Sequence, residues 1–198
     1  MAESSSSGTK LFIDKLEVPF QDVNTSPGVD TTSFLKASEG VVGLFDILGS
    51  TSFAPVKTDM NGNIEKLRKR QGAAAATSGT LQELVTVEKA EGKKEATEGL
   101  MWLIRGLDFT AKGIRHNLDN PNEELAVSFQ HAYGGTLRPH HNLIVKGIFS
   151  VALKATPYRK DFYPKIGEEQ KIRDWLEALE KVVGIMQDFY KENKNFGL

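Results

Sequence analysis

Residues 168–193 read EEQKIRDWLEALEKVVGIMQDFYKEN. The apolar groups Ile172, Trp175, Leu176, Leu179, Val182, Val183, Met186, Phe189 and Tyr190 recur at steps of three and four, which puts them on one face of an α-helix. Such a helix needs other apolar faces to pack against, and the same period supplies them elsewhere. "SFLKASEGVVGLFDILG" (33–49) carries Phe34, Leu35, Ala37, Val41, Val42, Leu44, Phe45, Ile47 and Leu48 in helical register. "EATEGLMWLIRGLDFTAKGIRHNL" (95–118) is apolar on Leu100, Leu103, Leu107, Ile114 and Leu118 and is the expected central helix.

Local signals mark further elements. Pro55 fits a first helical turn after Phe53-Ala54,. Thr80 and Glu83 form a capping box ahead of Leu81, Leu84, Val85 and Val87,. "NPNEELAVSFQHAYG" (120–134) is a helix, and Pro139 is expected to open another in "PHHNLIVKGIFSVALKA", placing His140 and His141 at its second and third positions,. "PYRKDFYPKIG" (157–167) is expected to hold one short helical turn at most. "HNLIVKGIF" is ambiguous between helix and strand, and no segment alternates with period two for long enough to demand a strand,. The sum is an all-α fold of seven or eight helices in a single domain over 1–198, with 1–9 as a flexible tail and "QDVNTSPGVDTT" as a loop,.

Composition narrows the function. A hydrophobic fraction of 39% supports a real core, and a net charge of -1 from 25 basic and 26 acidic side chains gives no global attraction to nucleic acid or anionic membranes,. With no cysteine there are no disulfides, thiolate metal sites or thiol nucleophiles,. Four scattered histidines give no zinc motif, and neither a G-x-S-x-G elbow nor a phosphate-binding glycine loop occurs,. The polar start is no signal peptide and the apolar runs are too short to span a bilayer, so the cytoplasm is the expected compartment,. No metal or cofactor is expected.

"VKTDMNGNIEK" (56–66) raises three readings. A calcium loop starting at Asp59 would need Gly at 64 and Glu at 70, where Ile64 and Arg70 stand,. Asn61-Gly62 signals a turn,. Val56, Met60, Ile64 and Leu67, however, keep helical spacing straight through it. On a helix, Asp59, Asn63 and Lys66 fall within about 60° of arc. An acceptor, a mixed donor and acceptor, and a cation on one face suit a neutral polyhydroxyl ligand, although a solvated face reads equally well from spacing. Gly99, Gly106 and Gly113 recur every seven residues and bare a strip of helix 95–118, each drifting about 20° from the last,. Close helix contact and a ligand lining are both open.

Taken in order, "FDILGSTSFAPVKTDMNGNIEKLRKR", "GLMWLIRGLDF", "PHHNLIVKGIF" and "PYRKDF" resemble the glycolipid transfer protein family, particularly its fungal members, over nearly the whole chain. The resemblance implies a two-layer helical sandwich of about eight helices that carries one glycosphingolipid between membranes, as a monomer in transient contact with their surfaces. It implies that Asp59, Asn63 and Lys66 bind the sugar headgroup, that Trp102 is the platform on which the first sugar stacks, that His141 hydrogen-bonds the ceramide amide, and that Tyr158 flanks the site. Phe196 stands where animal members place a tyrosine, and Leu143 where they place a membrane-touching tryptophan. Trp102 by itself reads equally as a core residue of an apolar helix.

A carried lipid must keep its tails dry. Exposing about 30 methylenes would cost roughly 24 kcal/mol at about 0.8 kcal/mol each. Candidate tail-lining groups are Phe45, Leu48, Leu103, Phe109, Phe149, Leu153, Val182, Met186 and Phe189, each equally an ordinary core residue. Two other roles stay open: ceramide-1-phosphate transfer, for which Arg105 one turn after Trp102 is the candidate cation, and a glycolipid sensor acting through a protein partner, as in fungal incompatibility. An enzyme is not expected, because a glycosidase needs two placed carboxylates and this cluster holds one.

Overall fold

A computed structural model describes residues 10–193. Eight α-helices are present among them: α1 Thr31–Gly49, α2 Ala54–Ala73, α3 Leu81–Ala90, α4 Glu95–Asp119, α5 Leu125–Gly135, α6 Leu143–Lys154, α7 Arg159–Ile166 and α8 Glu169–Glu192. The only β pairing among the described residues is an isolated antiparallel bridge, Asp30 with Thr80. It ties together two helix starts, since Asp30 caps α1 by accepting from Ser33 N and Thr80 caps α3 by accepting from Glu83 N,. The expected tail at 1–9 and Phe196 lie outside the described residues.

The stripe on α8 is buried as its period requires: Trp175, Leu176, Leu179, Val182, Val183 and Met186 are each at most 2% exposed, while Phe189 packs partly buried at the edge. Helix α4 is the hub and packs on α2, α3, α5 and α8. Its first turn has no capping side chain of its own. Buried Glu88 of α3 does that work from across the loop, accepting from Ala96 N at 2.9 Å and from Thr97 N and Oγ1 at 2.7 Å each, so a carboxylate satisfies orphan amides at the positive end of the helix dipole.

The glycine strip of α4 serves close packing. A Cβ on Gly99 would sit 3.1 Å from Lys66 Cδ and 3.5 Å from the Asn63 carbonyl, so α2 comes close there. A Cβ on Gly113 would lie 2.6 Å from two ring carbons of Phe129 on α5. Two neighbours therefore use one strip.

Two expectations need correction. Helix α6 begins at Leu143 rather than at Pro139, because the Asn142 side chain accepts from Val145 N at 3.0 Å and caps it there,. Pro139 opens only the 3-10 turn Arg138–His140, and His141 follows in extended conformation, so neither histidine is part of α6. Segment 157–167 holds a helix of eight residues, not one turn: Phe162 and Ile166 anchor it in the core at 0% and 1% exposure despite the internal Pro164, and Gly167 N closes it on the Tyr163 carbonyl.

Candidate functional site

The segment 56–66 runs as continuous helix inside α2. Burial of Val56, Met60, Ile64 and Leu67, none more than 6% exposed, carries the backbone over Asn61-Gly62. Tertiary packing thus overrides a turn signal. With helix established, the polar face forms a chain of contacts. Lys66 Nζ donates to Asn63 Oδ1 at 3.0 Å, and Asn63 Nδ2 donates to Asp59 Oδ2 at 3.2 Å. Asn63 is 2% exposed, and its two neighbours fix which way its amide points.

Asp59 lines a cavity of about 360 Å³ together with Met60, Trp102, Gly106, His141 and Phe149. Three helices and one turn supply its walls, which brings residues 59, 102 and 141 together from separate parts of the chain. Asn63 and Lys66 stand behind Asp59 on α2. Tyr158 does not join them: it is 65% exposed at the start of α7 and carries the Lys160 ammonium 5.9 Å from its ring centroid.

Trp102 is partly exposed, not a core residue. Its ring stacks with His141 at 6.0 Å between centroids and 19° between planes, and the Arg105 guanidinium lies 4.8 Å from its centroid. Arg105 has no ion pair or hydrogen-bonding carboxylate among the described residues, and burial lowers its pKa while leaving it cationic,. The larger groove of about 700 Å³ is lined by α4, α8 and the end of α5 with Thr136 and His140; it shares His140 with the Asp59 cavity but includes neither Asp59 nor Trp102.

His141 is held by Tyr133 of α5, whose hydroxyl is 3.1 Å from Nδ1, and by the Phe149 ring at 4.8 Å. Burial pushes the His141 pKa down, and the neighbouring charges on His140, Lys146 and Arg105 push it the same way. Burial pushes the Tyr133 phenol up, so it stays protonated. A protonated phenol facing a neutral imidazole can donate to Nδ1, and in the tautomer that accepts this bond the ring proton sits on Nε2 as a free donor,. Asp59 faces the opposite influence. Burial at the cavity wall raises its carboxyl pKa, and Lys66 lowers it in part; the side chain still reaches solvent. The cavity thus offers a carboxylate acceptor, an imidazole donor and an aromatic face. Tyr133 was not legible in the sequence, where it is one aromatic in an apolar helix eight residues before His141.

Comparison with known proteins bears on this arrangement. The family model "Glycolipid transfer protein (GLTP)" matches residues 29–168. A protein of Aureobasidium melanogenum named glycolipid transfer protein is 53% identical over 184 residues, covering 90% of this chain and 92% of that one. The chain spans 38% of the length of mammalian relatives that it matches. The crystal structure of HET-C2, described as a fungal glycolipid transfer protein, superposes with a TM-score of 0.87 at 44% identity, over 91% of this chain and 96% of that one. A structure described as showing how FAPP2 selects simple glycosphingolipids using the same fold gives 0.83 at 31% identity, over 92% and 95%. Sequence and helical architecture agree across nine-tenths of the molecule, and the chain belongs to the glycolipid transfer protein family.

Proposed function

We propose that this chain acts as a single glycolipid-carrying domain that moves one simple glycosylceramide, such as glucosylceramide or galactosylceramide, between membranes facing the cytoplasm. The observation that carries this reading is the convergence of Asp59, Trp102 and His141 on one cavity, with the Lys66–Asn63–Asp59 chain behind the carboxylate. A ceramide amide presents one N–H and one C=O. Asp59 can accept from the first and His141 Nε2 can donate to the second, while sugar hydroxyls exchange hydrogen bonds with Asp59, Asn63 and Lys66. The Trp102 ring gives a hexose its apolar platform once His141 and Arg105 make room. The names of the fungal relatives and the description of the FAPP2 structure support the ligand class.

The groups proposed to line the tails are packed in this state. Phe45, Leu48, Leu103, Phe109 and Met186 are at 0% exposure and belong to one continuous core. Uptake therefore requires helices to separate as acyl chains replace side-chain contacts. The protein meets the membrane through α6, where Leu143 is 85% and Ile144 76% exposed beside the cavity mouth. No helix among the described residues is long and apolar enough to cross a membrane, so this contact is peripheral. The carrier works as a monomer, binds no nucleic acid and transforms nothing, one carboxylate beside an amide and an ammonium giving no acid/base pair for glycoside cleavage.

Tryptophan fluorescence tests the site. Trp175 is 1% exposed in the core and Trp102 is at the cavity, so glucosylceramide should shift the emission of wild-type protein and leave that of a Trp102→Phe variant nearly unchanged. An equal shift in both would remove Trp102 from the site. Unpaired Arg105 favours one second reading, ceramide-1-phosphate as cargo,; tighter binding of that lipid than of glucosylceramide would decide for it.

A further inference from the structure

The chain is net negative at -1, yet its charge is unevenly placed. From Leu125 to Lys160 there is no Asp or Glu, while Arg138, Lys146, Lys154, Arg159 and Lys160 all fall there. The same segment holds every large exposed apolar side chain among the described residues, from Val127 to Tyr158, with Leu143, Ile144 and Val151 each above 65%. Cations and bare hydrocarbon thus occur together in the segment that builds α5, α6 and the start of α7.

Between those helices runs a groove of about 530 Å³ whose lining includes Arg138, Lys146, Lys154, Ser150, Tyr133 and Leu143, and no carboxylate. None of the three cationic side chains makes an ion pair or hydrogen bond among the described residues, whereas three of the four cations on α8, Lys171, Arg173 and Lys191, are paired with carboxylates. Resting on the carrier reading above, we infer that this groove docks the phosphate of an anionic phospholipid at the membrane surface, held by Arg138, Lys146 and Lys154 while Leu143 and Ile144 enter the bilayer beside it. The occupant follows from the pairing of chemistries. A nucleic acid would satisfy the cations but leave the apolar stripe in water; a membrane leaflet offers a plane of phosphates directly above hydrocarbon. Leu143 belongs to both the groove and the stripe, so one lipid layer covers both. The positive charge of Lys146 also reaches His141 and helps to hold it neutral, which makes the groove a neighbour of the glycolipid cavity.

Vesicle flotation tests this with vesicles of phosphatidylcholine alone and with part of it replaced by phosphatidylserine. Wild-type protein should prefer the phosphatidylserine vesicles, and the preference should fade with added salt. Replacing Arg138, Lys146 and Lys154 by Gln should remove it, about fivefold per cation and about a hundredfold together at low ionic strength. A variant with Lys69, Lys93 and Lys181 changed to Gln loses the same formal charge elsewhere and should keep the preference; equal loss in both variants, or none in the first, overturns the groove. Circular dichroism confirms that each variant is folded. Glucosylceramide transfer by wild type is read separately. Transfer without any phosphatidylserine preference sinks the groove and leaves the carrier, while a preference abolished only by the groove variant, in a protein that transfers nothing, upholds the groove and sinks the carrier.

Discussion

Asp59 combines a side chain that reaches solvent with a raised carboxyl pKa. Its folded pKa lies above the ordinary 3.8 because burial disfavours the charge, so the ionised carboxylate destabilises the fold at neutral pH. That penalty fades as pH falls through the folded value toward 3.8,. Asp59→Asn should therefore leave the unfolding temperature at neutral pH unchanged or raised, and lower glucosylceramide affinity about tenfold to a hundredfold by removing a charged acceptor; calorimetry and a binding titration check the two halves. His141 has the opposite sign. Its folded pKa lies below 6.5, so the unfolded chain takes up a proton first and stability is lost as pH falls from 6.5 toward the folded value,. His140 shifts the same way. The drop in unfolding temperature between about pH 7.5 and about pH 5.5 should be smaller in His141→Gln than in wild type. Three candidate site residues could be grouped from the sequence because steps of four and three put Asp59, Asn63 and Lys66 on one helix face,. Trp102 and His141 were reached only by resemblance, since their meeting with Asp59 is a fact of tertiary packing.

At the scale of elements, periodicity located the long helices and failed where short-range signals conflict. Phe162 and Ile166 bury α7 although Pro164 marks it as broken, and the cap at Asn142 outcompetes Pro139 for the start of α6. Both outcomes rest on contacts that a linear reading does not contain. The heptad glycines were visible as a strip, but only the structure divides them between α2 and α5. That division is testable. Gly113→Ala drives a methyl to 2.6 Å from the Phe129 ring, itself fixed by Phe109 at 5.5 Å, and should destabilise by about 1–3 kcal/mol. Gly184→Ala in α8 meets nothing within 4 Å and should stabilise by about 0.5–1 kcal/mol. Chemical denaturation of both variants gives the comparison.

For the whole molecule, the all-helical fold was legible because burying the faces of α1, α4 and α8 leaves few other solutions. Net charge was a poor guide, as an average of -1 hides a segment without acids. The exposed α6 face should matter to delivery and not to folding: changing Leu143 and Ile144 to Asp should preserve the helical circular dichroism and reduce association with phosphatidylcholine vesicles about tenfold or more. The central claim is selective carriage of a sugar-bearing ceramide by the cavity at Asp59. It is tested most directly by following fluorescent glucosylceramide from donor to acceptor vesicles, beside ceramide-1-phosphate and phosphatidylcholine, for wild type and Asp59→Val. Wild type should move glucosylceramide in preference to the other two, and Asp59→Val should lose that transfer; transfer by Asp59→Val at the wild-type rate, or no preference among the three lipids, would contradict the account.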